Sequence, residues 1–453
     1  MNTSSSENIE LLQLSPEGQA FIEKARALRP FYFIVVCWGE RYTDFLLNFC
    51  IAALLSPNNI PVLLNRGKNK FLIATTDEDW DRMQTRPIFK LLSEYVEPIK
   101  VLIQAPPEGI SACIHMGLGH KLTTQMAFEA NAYAVLLTPD LMVSDGTMAA
   151  AQRHAVNGIQ VVLTAALRFG EEPLFKHLEA LGIISADQSY SKNAAPLTGS
   201  GRQFVSAGIR SFHSETLRYE WDSPYFSAFP VACWRNVPNT DGILVHCLSW
   251  APLLVDYDAV DNHDSSVMDN WTIDGDYVYR NFFDSSKVYV VQDSDEMMLI
   301  SWAPLADKEQ SLSPKTLYKF PMVGSFLKGI VLSDTYDSKS FDPLKRKIFF
   351  TPVRWHVSDL NDHWSIFEKK TLNMLRKYTD PRFQQRVGVA NSLPHNLILL
   401  AKIPIKYAIR AERIFSYFWQ GKKRITGIAV KAIFGDPIAR ERIRRALHFF
   451  IYK

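Results

Sequence analysis

Three stretches of this sequence place short carboxylates where they could hold a metal ion or move a proton. In the first, Ala134 to Thr147 (AVLLTPDLMVSDGT), an apolar run of strand character leads into Asp140 and then Asp145-Gly146. A strand end aims the carboxylates after it into the crevice at the edge of a sheet, and hard oxygen ligands suit Mg²⁺ or Mn²⁺. The competing reading is that Asp140 closes a turn while Ser144 or Asp145 caps the next helix. The second stretch, Gly242 to Asp258 (GILVHCLSWAPLLVDYD), delivers His246 at the end of a predicted strand, ahead of a Trp-Ala-Pro turn. A neutral imidazole there could complete a carboxylate–metal site, or could simply be satisfied inside a sheet.

The third stretch, Asp256 to Asp276 (DYDAVDNHDSSVMDNWTIDGD), is dense in aspartate and lacks glutamate, and Val290 to Glu296 adds VVQDSDE after another strand. So many short carboxylates are costly unless they are solvated, paired or bound to metal. Asp274 and Asp276 flank Gly275, and Asp293 and Asp295 flank Ser294; either could be a metal pair. Alternatively one carboxylate is the base for an acceptor hydroxyl, with Trp271, Tyr277 and Tyr279 stacking on sugar rings, or the loop is merely solvated and turn-forming. The candidates are therefore Asp140, Asp145, His246 and Asp293 as metal ligands and Asp274, Asp276 and Asp295 as catalytic carboxylates. Trp38 and Glu40 after the first predicted strand, and Thr76 and Asp77 after the second, are candidates for contacting a nucleotide by position alone.

The elements that must position these groups alternate. Phe31–Cys37, Lys70–Thr75, Val101–Gln104, Tyr133–Thr138 and Gln160–Thr164 read as buried strands, separated by helical patterns over 42–55, 76–83, 113–131 and 146–157. That order predicts an α/β fold built on a doubly wound, mostly parallel sheet with ligands at the carboxyl ends of its strands. Further strands are expected at Ile243–Cys247, Tyr277–Tyr279, Val288–Val291 and Met297–Trp302. Within 170–214 the pattern weakens into short helices and a loop carrying Thr-Gly-Ser-Gly-Arg, which fits a mobile loop or an acceptor-facing insertion. The predicted organisation is an N-terminal arm (1–30), a catalytic domain (31–305), an accessory segment (306–395) and a C-terminal helical tail (396–453).

The formal charge of +3 is uneven: Ala401 to Lys453 holds 13 Lys/Arg against 3 Asp/Glu, so the rest of the chain sums to −7. The tail alternates basic residues with aromatics and aliphatics, a pattern suited to an anionic membrane surface or to packing on the body; nucleic acid is not an expected partner. The five scattered cysteines, without CxxC spacing, are expected to be reduced. A polar, acidic N-terminus and the lack of a long apolar run predict a cytoplasmic protein, peripheral at most on the inner face of the membrane. GxGxxG, GxxxxGK[ST], GxSxG and HExxH are all missing, which argues against a Rossmann dinucleotide site, a P-loop, an α/β-hydrolase elbow and a zincin.

The order WGE after strand one, TTD after strand two, PD…SDG after a central strand, then HC…PL and DGD…DSDE resembles bacterial glycosyltransferase-like proteins of surface-polysaccharide loci, with the GT-A fold, over residues 31 to 305. The resemblance implies a divalent metal, Mn²⁺ or Mg²⁺, and a nucleotide-sugar donor, with a glycan or lipid-linked acceptor. It also implies that His246 is the late metal-binding histidine of retaining members and that Asp140 or the Asp293/Asp295 pair meets the metal. A nucleotidyltransferase and a non-catalytic scaffold of envelope polysaccharide assembly are the alternatives.

Overall fold

The computed structural model describes residues 15–385 apart from 228–231, 248–249, 274, 308–311, 313, 336–342 and 384. The expected tail, 396–453, and Asp274 lie outside the described residues. The chain divides into two compact units, residues 1–312 with 336–377, and residues 313–335 with 378–453. The segment expected to be accessory, 306–395, is thus distributed over both. In the second unit, Gly329 of the helix Pro321–Thr335 meets the ring of Tyr378, which packs edge-on against Phe383.

The first unit is built on a seven-stranded sheet in the order β11-β6-β10-β4-β1-β2-β3. Its strands are β1 (Phe31–Val36), β2 (Lys70–Thr75), β3 (Glu97–Leu102), β4 (Tyr133–Leu136), β6 (Val161–Ala165), β10 (Trp250–Asp256) and β11 (Val288–Val290). All neighbours run parallel except at β10, which is antiparallel to both β4 and β6. The runs FYFIVV and VVLTA are buried along their whole length, as strands covered on both faces must be. Helix α1 (Ala112–Glu129) packs across β1 and β2 and covers part of one face. The chain lays β1, β2 and β3 toward one edge and then returns to β4 on the other side of β1. The carboxyl ends of β1 and β4 are therefore a topological switch point, where crevices form.

Two smaller sheets flank this one, β5 (Leu141–Val143), β12 (Leu299–Ala303) and β7 (Arg168–Gly170) in the order β5-β12-β7, and β13 (Val353–His356), β9 (Gly242–Cys247) and β8 (Ala232–Asn236) in the order β13-β9-β8. A short helix, α2 (Gly201–Gly208), packs against both β12 and β13 and so bridges the two.

Three expectations need correction. The third strand is not a buried Val101–Gln104 but Glu97–Leu102, exposed or half-buried along its length at the edge of the sheet. Trp250-Ala251-Pro252 is no turn but the start of β10, and the register shifts between Pro252 and Leu254; a bulge is where a strand tolerates a residue without an N–H. Tyr277–Tyr279 is not a strand either: Gly275–Asn281 is a helix with Asp276 in its first turn, and tertiary context overrides the β-propensity of Tyr-Val-Tyr. Tyr277 is fully buried, its hydroxyl bonded to that of Tyr257 at 2.7 Å, so it cannot stack on a sugar. All five cysteines are free thiols, four of them buried. Among the described residues no helix is long and apolar enough to cross a membrane.

Candidate metal centre and adjoining cleft

β11 ends at the carboxyl rim of the main sheet, and the chain then turns through Asp293-Ser294-Asp295. The turn is held from both sides. Arg354 N–H of β13 donates to the Gln292 carbonyl at 2.7 Å, and Ser294 N–H donates to the Arg354 carbonyl at 3.0 Å. Asp295 N–H donates to Asp293 Oδ1 at 2.8 Å, so Asp293 shapes the turn that it belongs to. Two residues beyond Arg354 stands His356, whose backbone N–H donates to Ser294 Oγ at 3.2 Å. Strand pairing thereby fixes the imidazole beside the carboxylates.

The ligand atoms of Asp293, Asp295 and His356 all lie within 4.8 Å of one another. His356 Nε2 is 2.8 Å from Asp293 Oδ1 and 4.0 Å from Asp295 Oδ2. His356 Nδ1 is 2.7 Å from the Ser358 carbonyl, which accepts and so fixes a proton on Nδ1. Nε2 then faces Asp293 either as an acidic N–H or as a lone pair sharing a cation with the carboxylate. A ligating histidine usually tethers its other nitrogen in this way. Burial opposes the imidazolium, yet the Asp293 hydrogen bond, the Ser358 carbonyl and the two carboxylate charges together raise the His356 pKa above its ordinary value. Burial likewise opposes ionisation of Asp293, but its bonds to His356 and the Asp295 amide, with the charges of His356 and Arg354, outweigh it and hold the carboxyl below the usual range. Two hard carboxylates and one imidazole fit Mn²⁺, Mg²⁺ or Zn²⁺.

Asp295 is not idle: the Arg202 guanidinium grips both of its oxygens, with contacts of 3.0, 3.0 and 2.7 Å, and reaches Asp359 at 2.7 Å. A cleft of about 320 Å³ shares His356 with this cluster and is lined also by Asn239, Asp241, Ser358, Asp359 and Trp364 among others, but not by Asp293 or Asp295. Its wall is polar apart from the indole.

The chain matches no family model and no curated protein sequence.

The remaining predicted residues fall elsewhere. Asp140 occupies the turn after β4, half-buried, where its charge is felt by Tyr42 and Glu171; among the described residues it makes no hydrogen bond or ion pair. Three strand spacings of about 4.8 Å separate β4 from β11, about 14 Å in all, so Asp140 and Asp293 cannot share one ion. Asp145 accepts from Asn58 N and Nδ2 at 2.9 and 2.7 Å, which takes up both of its oxygens in tying loops together. His246 is fully buried in β9, its Nδ1 2.8 Å from the Phe349 carbonyl, and burial pushes its pKa down to about 4. His356 pairs with Gly242, four residues and about 13 Å along β9 from His246, which therefore does not reach the aspartates. The imidazole that joins them is His356.

Trp38 packs edge-on against His115, and Glu40 is exposed in the first helical turn after Gly39, whose φ of +78° favours glycine. Thr76 caps the helix Asp77–Gln84, and Asp77 pairs with Lys100 at 2.6 Å. The carboxylate that ties the ends of β1 and β2 together is Asp79, accepting from Gly39 N and Thr76 Oγ1. Asp276 is exposed.

Proposed function

We propose that this chain is a divalent-metal-dependent glycosyltransferase that moves a sugar from a nucleoside diphosphate sugar to a hydroxyl of a glycan or lipid-linked acceptor. What supports the reading is the convergence of Asp293, Asp295 and His356 at the carboxyl rim of a mostly parallel sheet, beside a polar cleft. In it, the two carboxylates and Nε2 of His356 hold Mn²⁺ or Mg²⁺, and Ser358 keeps the imidazole in the required tautomer. A metal held there would neutralise charge on the departing diphosphate. The cleft of about 320 Å³ that His356 lines receives the sugar that is exchanged. Activity at the cytoplasmic face of a membrane, through the basic, aromatic tail, is part of the same proposal.

One observation favours a second reading, a non-catalytic scaffold: Asp295 is already paired with the Arg202 guanidinium. Thermal unfolding separates the two. With Mn²⁺ present, one of UDP, GDP, CMP or ADP stabilises a glycosyltransferase, by about 2.7 kcal/mol at a hundredfold excess over Kd. Asp293→Ala abolishes that stabilisation. The proposal fails if no nucleotide produces a metal-dependent shift.

A further inference from the structure

Arg202 stands at the start of α2, and the helix is pressed onto the aspartate turn. A Cβ on Gly201 would lie 1.8 Å from the Ser294 carbonyl oxygen and 3.5 Å from Asp295 Cα, so only glycine lets the backbone come this close. The helix start is fixed by a reciprocal cap: Ser200 Oγ accepts from Gln203 N, and the Gln203 side chain accepts from Ser200 N. These two features deliver Arg202 to Asp295 and Asp359 as a planar fork with three contacts to one carboxylate.

We propose that Arg202 is an exchangeable counter-ion of this site, which pairs with Asp295 and passes to the phosphate oxygens of the ligand when a divalent cation takes Asp295. This rests on the metal-centre reading proposed for Asp293, Asp295 and His356. A cation that takes an Asp295 oxygen comes to lie against the positive guanidinium already bonded to that carboxylate, and the two charges repel. Metal and Arg202 therefore compete. A released guanidinium, still tethered by the helix start, presents the donor fork that phosphate accepts best. The side chain is 39% exposed, so it can swing without unpacking a core.

The competition predicts effects of opposite sign, which loss of a merely structural ion pair does not give. On the full chain, Arg202→Met should bind Mn²⁺ roughly two- to fivefold more tightly than wild type, the range expected when an exposed ion pair is lost. It should bind pyrophosphate, at saturating Mn²⁺, more weakly by a similar factor. Arg202→Lys keeps the charge but loses the fork; its Mn²⁺ affinity should fall between the two, and it carries the test if the Met variant does not fold. Unchanged or weaker Mn²⁺ binding in both variants, with wild type binding normally, overturns the inference and leaves the metal site standing. So does pyrophosphate affinity that ignores Arg202. If neither wild type nor Arg202→Met binds Mn²⁺, the metal reading falls, and this inference with it.

Discussion

His246 and His120 should make the fold sensitive to mild acid. Each is buried, with Nδ1 bonded to the Phe349 carbonyl in one case and 2.9 Å from Thr272 Oγ1 in the other, and burial lowers each pKa to about 4. An unfolded histidine takes up its proton near pH 6.5. Below that pH the unfolded chain holds protons that the folded chain refuses, so stability falls as pH drops from about 6.5 and levels off near 4. By pH 4.5 the loss is about 2 to 3 kcal/mol for each histidine. Urea unfolding at pH 7.5, 6, 5 and 4.5 measures it. His246→Leu should lower the plateau at pH 7.5 by about 1 to 3 kcal/mol, because the Phe349 carbonyl loses that donor, and should flatten the acid slope by about one histidine's share. If the variant and wild type show the same slope, His246 titrates as an ordinary exposed imidazole and the buried placement of β9 is wrong.

Other substitutions probe the site's construction. Gly201→Ala forces a Cβ against the Ser294 carbonyl and should cost about 1 to 3 kcal/mol in thermal unfolding, with weaker Mn²⁺ binding because the aspartate turn must move. Asp145→Ala removes two hydrogen bonds to Asn58 and should destabilise by about 1 to 2 kcal/mol without altering Mn²⁺ affinity. Asp140→Ala should leave both Mn²⁺ affinity and unfolding close to wild type, since its carboxylate has no ion-pair partner among the described residues.

Much of the sheet was legible because its central strands are short runs rich in apolar, β-branched or aromatic residues: Phe31–Val36, Lys70–Thr75 and Val161–Ala165 announce themselves by composition. β10 was hidden by Pro252, which reads as a strand breaker until the bulge beside it is known. The Asp293-Ser294-Asp295 turn was visible as a strand followed by paired carboxylates. Its partner was not: His356 lies 63 residues from Asp293, on a four-residue strand with no periodicity of its own, and only the pairing through Arg354 brings the two together. His246 stands in a long apolar run, which is the environment that buries a histidine rather than one that offers it to a metal. Arg202 belonged to a Gly-Ser-Gly-Arg stretch that reads as loop; the Ser200–Gln203 capping box was the signal that a helix begins there.

Direct titration with Mn²⁺, followed by the electron paramagnetic resonance of the free ion, tests the metal centre most directly. Saturable binding of one ion to the wild-type chain, weakened at least tenfold by Asp293→Asn and by His356→Ala but retained in Asp140→Ala, is the result expected of a centre built from Asp293, Asp295 and His356. Binding that survives the loss of His356 and disappears with Asp140, or no saturable binding at all, would contradict it.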